Sequence, residues 1–225
     1  MCNADRPVLI VVAGGAGRRF GGDKLLAELD GKPVLVHTLE RLGRAAKLAV
    51  LVVPAGREEE FRRLVAKYLP DLELRLATGG NTRAESVKRG VLAADPADDD
   101  LVAVHDAARP LATPELLAAL CRRAREVGGA VPGFPQADAQ KRVDDRGVIT
   151  ADLARDGIWN VGTPQVFTGK LIRRACQAAD SSACLDDAEA VRRVGGSVAV
   201  VPCGEPNFKL TARSDLKLLA ALMRR

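Results

Sequence analysis

Residues 8–24 read VLIVVAGGAGRRFGGDK, five consecutive aliphatic residues running without a break into a loop that holds five glycines and three cations. A run that is apolar on every residue suits a strand covered on both faces, as in a parallel sheet between helices. It is too short for a signal-peptide core or a membrane span, and it leads into a Gly/Arg loop, not a cleavage site. Glycines let backbone N–H groups approach phosphate oxygens with no Cβ in the way, and Arg and Lys supply charge-assisted bonds to the oxygens left exposed. The stretch therefore reads as a first strand followed by a polyphosphate-binding loop. The plainer alternative is a Gly/Arg-rich surface turn.

Outward from this strand, short apolar runs alternate with segments of helical period, the signature of an α/β fold with a doubly wound, mainly parallel sheet. The remaining expected strands are Leu48 to Val53, Leu72 to Ala77, Leu101 to His105, Ala130 to Pro132 and Val198 to Val201. Expected helices are Val34 to Arg44, Glu58 to Tyr68, Thr82 to Ala94, Pro114 to Val127, Lys170 to Ala178, Asp187 to Val194 and Ser214 to Met223. Thr113 followed by Pro114 is a cap with proline at the first helical position. From Gln136 to Ile158 the alternation fails: charges and a DDRG turn signal replace the apolar pattern. We read residues 136–157 as a projecting β-arm. An isolated hairpin is marginal in water, so a lid or a dimerisation element is implied, and dimerisation is favoured.

The bulk numbers set limits. At 225 residues one domain is the default, and 47% hydrophobic with 28% charged residues is an ordinary globular balance. A formal charge of +5 is spread along helices and interleaved with Asp and Glu, which fits two anionic substrates better than a nucleic acid. Cys2, Cys121, Cys176, Cys184 and Cys203 are scattered and odd in number. We expect a soluble, reduced, cytoplasmic protein with no membrane or nucleic-acid partner.

A Walker loop needs G-K-[ST], and the chain offers only Gly31-Lys32-Pro33 and Gly169-Lys170-Leu171, so a P-loop ATPase is excluded. A dinucleotide fold needs its glycines to open an apolar helix, whereas here Phe20 is followed by Gly-Gly-Asp-Lys, which argues against a dehydrogenase. Asp106 follows the expected strand at Leu101 to His105. It therefore lies at the carboxyl end of the sheet, where ligands bind in open α/β folds and where a carboxylate suits Mg²⁺. His37 falls within a helical pattern, and His105 reads as a packed or hydrogen-bonded strand-end residue; neither is a catalytic candidate.

Five segments, AGGAGRRFGGDK, GGNTRAESV, HDAARP, RDGIWNVGTPQVF and NFKLT, occur in order along nearly the whole chain. Together they resemble the motifs of 2-C-methyl-D-erythritol 4-phosphate cytidylyltransferases. The resemblance implies a Rossmann-like nucleotidyltransferase domain over 1–225, dimerised through its arm, that joins CTP to a polyol phosphate with Mg²⁺. By position, it implies that Ala13, Gly14, Gly15 and Gly80 approach the nucleotide, with Asn81, Arg83 and Ser86 near cytosine and ribose. Arg19, Lys24 and Lys209 are implied as the catalytic cations. Asp106, Arg109, Arg155, Thr163 and Lys209 are implied for the acceptor, with the arm of one subunit helping to complete the other's site.

Departures from the pattern concentrate on the acceptor side. Gly22-Asp23 stands where a proline usually precedes the lysine, Ala139 where the arm commonly carries a threonine, and Leu185 where a threonine precedes the acidic pair. Each missing hydroxyl removes a hydrogen bond of about 0.5–1.5 kcal/mol, which keeps open a ribitol 5-phosphate acceptor or a non-catalytic nucleotide-binding module.

Overall fold

The computed structural model describes residues 6–14, 20–178, 183–204 and 207–224. One eight-stranded sheet carries the fold. In spatial order its core is β5 (Leu74–Thr78), β4 (Leu48–Val53), β1 (Val8–Val12) and β6 (Leu101–Asp106), all parallel. β6 is followed by β11 (Gln165–Thr168), antiparallel, and then β7 (Gly129–Pro135). β12 (Ala199–Pro202) pairs with β7 in parallel.

Alternation along β1 separates two apolar layers. Leu9 and Val11 face a cluster built from α1 (Val34–Leu42), α2 (Glu58–Tyr68), α4 (Pro114–Val127) and α7 (Asp215–Met223). Val8, Ile10 and Val12 face α3 (Arg83–Ala94), α5 (Gly169–Gln177) and α6 (Asp187–Arg193). This is the doubly wound arrangement expected, with helices on both faces. Gly90 permits α3 to lie close on the sheet, since a Cβ there would come within 2.5 Å of Ile10 Cγ2. Among the described residues no helix is long and apolar enough to cross a membrane.

Helices α2 and α4 occupy the spans expected from the sequence, and Thr113 caps α4 by accepting from the Leu116 N–H at 3.2 Å. The fifth strand begins at Leu74 rather than Leu72, and the first helix ends at Leu42 with a 3-10 turn after it. Four further strands were not foreseen, among them β11 in the middle of the main sheet. β2 (Glu28–Leu29) and β3 (Lys32–Pro33) form a small ribbon, and β10 (Trp159–Val161) joins the main sheet beside β7.

β10 and β11 together run along one edge of β7. Val161 opposes Gly133 and Val166 opposes Ala130, so five steps on one strand span three on the other. The two-residue excess bulges out at 162–164 and turns Thr163 toward the end of β6.

The arm is a hairpin of β8 (Gln140–Val143) and β9 (Ile149–Leu153), closed at its base where the Gln136 N–H donates to Ile158 O at 2.9 Å. Its tip is the turn signalled by DDRG: Asp144 Oδ1 accepts the N–H groups of Arg146 and Val148 at 3.0 and 2.9 Å.

Candidate active site

β1 and β6 are neighbours, paired Val12 to Asp106, yet the chain leaves β1 toward β4 on one side and returns to β6 on the other. The crevice at such a reversal is where open α/β sheets bind ligands. Two hollows lie near it, one beside Ala13 and Gly14 and the other beside Arg109.

The first lies beyond β1, a cleft of ≈ 370 Å³ lined by Ala13, Gly14, Asp23, Lys24, Pro54 and Arg57 among others. Ala13 is tied to the neighbouring strand through its N–H to Val52 O at 2.8 Å. Lys24 Nζ donates to Leu210 O at 3.1 Å, which joins this loop to the C-terminal segment. Gly15 and Arg19 lie outside the described residues. Ser86, buried on α3, shapes the adjoining loop: its Oγ accepts the Gly80 N–H at 3.1 Å and donates to Thr82 O at 2.9 Å. Asn81 is held by its N–H to Glu85 Oε2 at 2.7 Å. Gly80 has no room for a side chain, because a Cβ would come within 2.3 Å of Glu85 Cβ.

The second hollow, ≈ 590 Å³, is lined by Arg109, Gly133, Phe134, Asn160, Asn207 and Lys209 among others. Asp106 stands beside it and gathers the charges. Its Oδ2 accepts Lys209 Nζ at 2.8 Å and lies 3.7 Å from Arg109 Nε, and its Oδ1 accepts Arg83 Nε at 3.1 Å. Burial alone would raise the Asp106 carboxyl, but Arg83, Lys209 and Arg109 together outweigh it and hold the group well below the usual carboxylate range. Arg83 continues to Asp187 Oδ2 at 2.8 Å. Burial pushes the Asp187 carboxyl up, against the pull of Arg83. Three cations thus face two carboxylates, and the surplus positive charge suits a further anion. Arg109 Nε and Asn207 Oδ1 are buried with no hydrogen-bond partner among the described residues.

A chain of hydrogen bonds fixes this end of β6. Thr163 Oγ1 accepts the Asp106 N–H at 3.0 Å and lies 3.1 Å from His105 Nδ1, while His105 Nε2 lies 3.1 Å from Arg109 O. A carbonyl only accepts, so Nε2 carries the proton, Nδ1 is the acceptor, and the Thr163 hydroxyl donates to it. Burial lowers the His105 pKa to about 4, which keeps the ring neutral. Asn207 completes the frame: its Nδ2 donates to Thr163 O at 2.8 Å and its backbone carbonyl accepts Arg109 Nη1 at 2.7 Å.

The structure therefore brings together Asp106, Arg109, Thr163 and Lys209 as the sequence suggested. Two placements differ. Arg83 was placed near the base and ribose, whereas its Nε and Nη2 are directed to Asp106 and Asp187, both within its reach. Arg155 sits on the arm with its Nη1 on Ala137 O at 2.8 Å, and no ion pair or hydrogen bond joins it to the Asp106 cluster of its own chain. Asp187, Asn207 and Arg57 were missed. Asp187 belongs to the acidic pair after Leu185 and Asn207 to the quoted NFKLT segment, so the signal was present; Arg57 carries none in the sequence alone.

The family profile described as "IspD: 2-C-methyl-D-erythritol 4-phosphate cytidylyltransferase" matches residues 8–225. The 2-C-methyl-D-erythritol 4-phosphate cytidylyltransferase of Chromobacterium violaceum is 37% identical over 222 residues, 96% of this chain and 97% of that protein. The protein of the same name from Symbiobacterium thermophilum is also 37% identical, over 96% of this chain and 93% of its own. Among solved structures, the Thermus thermophilus 2-C-methyl-D-erythritol 4-phosphate cytidylyltransferase superposes with a TM-score of 0.77 at 30% identity, covering 96% of this chain and 98% of its own. The 4-diphosphocytidyl-2C-methyl-D-erythritol synthase of Anaerococcus prevotii superposes with a TM-score of 0.81 at 28% identity, covering 98% and 100%.

Proposed function

The chain belongs to the 2-C-methyl-D-erythritol 4-phosphate cytidylyltransferase family, and from that premise we propose how its two hollows divide the reaction between them. The enzyme joins CTP and 2-C-methyl-D-erythritol 4-phosphate to give 4-diphosphocytidyl-2-C-methyl-D-erythritol and pyrophosphate, a step toward isoprenoid precursors by the non-mevalonate route. The cleft at Gly14 and Lys24 receives the triphosphate, and the larger cavity beside Asp106 receives the polyol phosphate.

One observation carries this division. Residues 207–210 link the two hollows: Asn207, Phe208 and Lys209 line the larger one, where Lys209 binds Asp106, and the next residue, Leu210, accepts Lys24 from the cleft at Gly14. Anions held by the two lysines would meet at this segment. An oxygen of the acceptor phosphate attacks the α-phosphorus of CTP in line. The new P–O bond forms as the bond to the β-phosphate oxygen breaks, and that electron pair leaves on pyrophosphate. A phosphate monoester has its second pKa near ~6, so the nucleophile is already ionised at neutral pH and needs no general base. The chain's task is position and charge, with Lys24, Lys209 and Arg19 offsetting the negative charge that spreads over the equatorial and leaving oxygens. Asp106 and Arg109 orient the acceptor, Asp106 toward its hydroxyl groups and Arg109 toward its phosphate.

Mg²⁺ fits this site as an ion that arrives with the nucleotide. It characteristically binds one or two carboxylates plus substrate phosphates. Among the described residues no group of three or more His, Cys, Asp or Glu side chains converges, and each oxygen of Asp106 already accepts one cationic donor. Asp106 with its remaining lone pairs is the residue that would hold the ion. When bound there, Mg²⁺ would neutralise triphosphate oxygens and polarise the α-phosphate.

The active unit is a homodimer formed through the arm, in a cytoplasmic setting in keeping with the scattered cysteines. Support for the dimer comes from Phe134, Ile158 and Trp159 at the arm's base and Val148, Ile149 and Leu153 on its hairpin, all large apolar side chains left exposed in one chain. Arg155 on this arm would then serve the partner's acceptor cavity.

The test is pyrophosphate release with CTP, Mg²⁺ and 2-C-methyl-D-erythritol 4-phosphate, run beside ribitol 5-phosphate and beside ATP, GTP and UTP. Release with CTP and methylerythritol phosphate alone is expected. Release with ribitol phosphate alone would move the acceptor, and silence with every pair would overturn the reading.

A further inference from the structure

Asp23 puts a carboxylate in a cleft assigned to a triphosphate, which would repel the ligand if it were left uncompensated. It is compensated. Asp23 Oδ1 accepts the Leu25 N–H at 2.9 Å, fixing the turn that carries Lys24, and Oδ2 accepts Arg57 Nη1 at 2.6 Å across the cleft. Arg57 is set from behind. Its Nε and Nη2 grip Glu60 at 2.6 and 2.8 Å, and its guanidinium carbon lies 5.0 Å from the centre of the Phe61 ring.

We propose that Arg57 is a further binding residue for the β- and γ-phosphates of the nucleotide, and for the departing pyrophosphate, held in place by Glu60 and Phe61 and kept in check by Asp23. The inference rests on the reading that this cleft takes the triphosphate. A guanidinium has five N–H donors in a rigid plane, and three are used among the described residues, two toward Glu60 and one toward Asp23. The bidentate grip of Glu60 fixes the plane, so the remaining donors are preorganised and little side-chain entropy is lost when an anion arrives. The side chain is about one third exposed and lines the same cleft as Gly14 and Lys24. Loss of Arg57 would do two things at once, removing a donor and leaving Asp23 as a bare charge facing phosphate.

This double effect gives the test its form. In the full chain, Arg57→Gln is expected to raise the KM for CTP roughly tenfold, the loss of about one charge-assisted hydrogen bond, with the acceptor KM within about twofold of wild type. Run in reverse, from 4-diphosphocytidyl-2-C-methyl-D-erythritol and pyrophosphate, the same variant should raise the KM for pyrophosphate by a similar factor. Asp23→Asn keeps an oxygen for the Leu25 N–H and removes the charge. The double variant Asp23→Asn with Arg57→Gln should therefore recover part of the lost affinity. A merely structural ion pair would move both substrates' KM values together and show no recovery, and that result would overturn the proposal, as would unchanged CTP and pyrophosphate KM values in Arg57→Gln. Lys24→Ala serves as the control for the cleft. If it weakens pyrophosphate while Arg57→Gln does not, the cleft assignment stands and the role of Arg57 is refuted; if neither matters, both fail.

Discussion

Arg83 reaches Asp187 through Nη2 at 2.8 Å and, through Nε of the same guanidinium, holds Asp106 at 3.1 Å. Asp187 is buried at the start of α6, so a group on the far face of the sheet sets the carboxylate beside the acceptor cavity. Asp187→Asn keeps an oxygen for Arg83 but removes the charge that pulls against Asp106. We expect kcat to fall roughly tenfold, the consequence of about 1.4 kcal/mol lost at the transition state. The CTP KM should change little. Steady-state kinetics on both substrates checks this, and unchanged kcat would show that Arg83 is positioned without Asp187.

Lys209 stands between the acceptor cavity and the segment that anchors Lys24. Removing a donor that acts on charge developing in the transition state costs roughly 10²–10³ in kcat. Lys209→Ala is expected to show a loss of that size together with a raised acceptor KM, since Asp106 would keep only its two arginines. Stability should fall by no more than about 1 kcal/mol, because the lysine is partly exposed and its pairing is screened. Single-turnover measurement of cytidylyl transfer separates the two effects.

His105 predicts a pH dependence of stability. The folded ring, buried and donating from Nε2 to Arg109 O, refuses a proton until about pH 4, whereas the unfolded chain takes one near its ordinary 6.5. Between these values the unfolded state binds more protons, so folding stability is lost as pH drops, by about 3 kcal/mol across the window. Asp187, with its carboxyl raised, works in the opposite direction over part of the same range. Comparison with His105→Gln cancels that contribution. The variant should lose about 3 kcal/mol less than wild type between about pH 7 and about pH 4 in urea unfolding, and parallel curves would refute the buried neutral ring.

Much of this architecture was legible because the sequence states it locally. The aliphatic run at 8–12, the Thr113-Pro114 cap and the amphipathic period of 58–68 each specify an element without reference to the rest of the chain. Asp106 could be placed at the carboxyl end of a strand for the same reason. The division of charge around it could not, because Arg83, Lys209 and Asp187 are joined through contacts that span up to 104 residues and meet only through the sheet order. The bulge that turns in Thr163 depends on the register of β7 against β10 and β11, which no local pattern encodes. The pairing of Arg57 with Asp23, 34 residues apart, escaped notice on the same account.

The arm carries a prediction about assembly. In one chain β8 and β9 pair only with each other, and Val148, Ile149 and Leu153 stay exposed. Such a hairpin gains stability by packing on a partner. A variant lacking residues 136–157 should sediment as a monomer and lose acceptor affinity, while its unfolding remains cooperative because both apolar layers of the sheet are untouched. An intact dimer would refute the arm's role.

Gly80 gives the sharpest steric prediction. Any Cβ there would sit 2.3 Å from Glu85 Cβ and 2.5 Å from Glu85 Oε2, the oxygen that holds the Asn81 N–H. The first of these contacts cannot be relieved by rotating the far end of a flexible side chain, so the loop must move away from the first turn of α3. Movement breaks the Gly80 N–H bond to Ser86 Oγ, the side chain that also faces Gly14 of the cleft proposed for the nucleotide. Gly80→Ala should therefore raise the CTP KM by more than roughly tenfold, at a cost to stability of about 1–3 kcal/mol from overpacking. Ser86→Ala removes only the hydroxyl and should raise the KM by a smaller factor. Equal effects of the two would mean that the hydroxyl, and not the space at Gly80, fixes the loop.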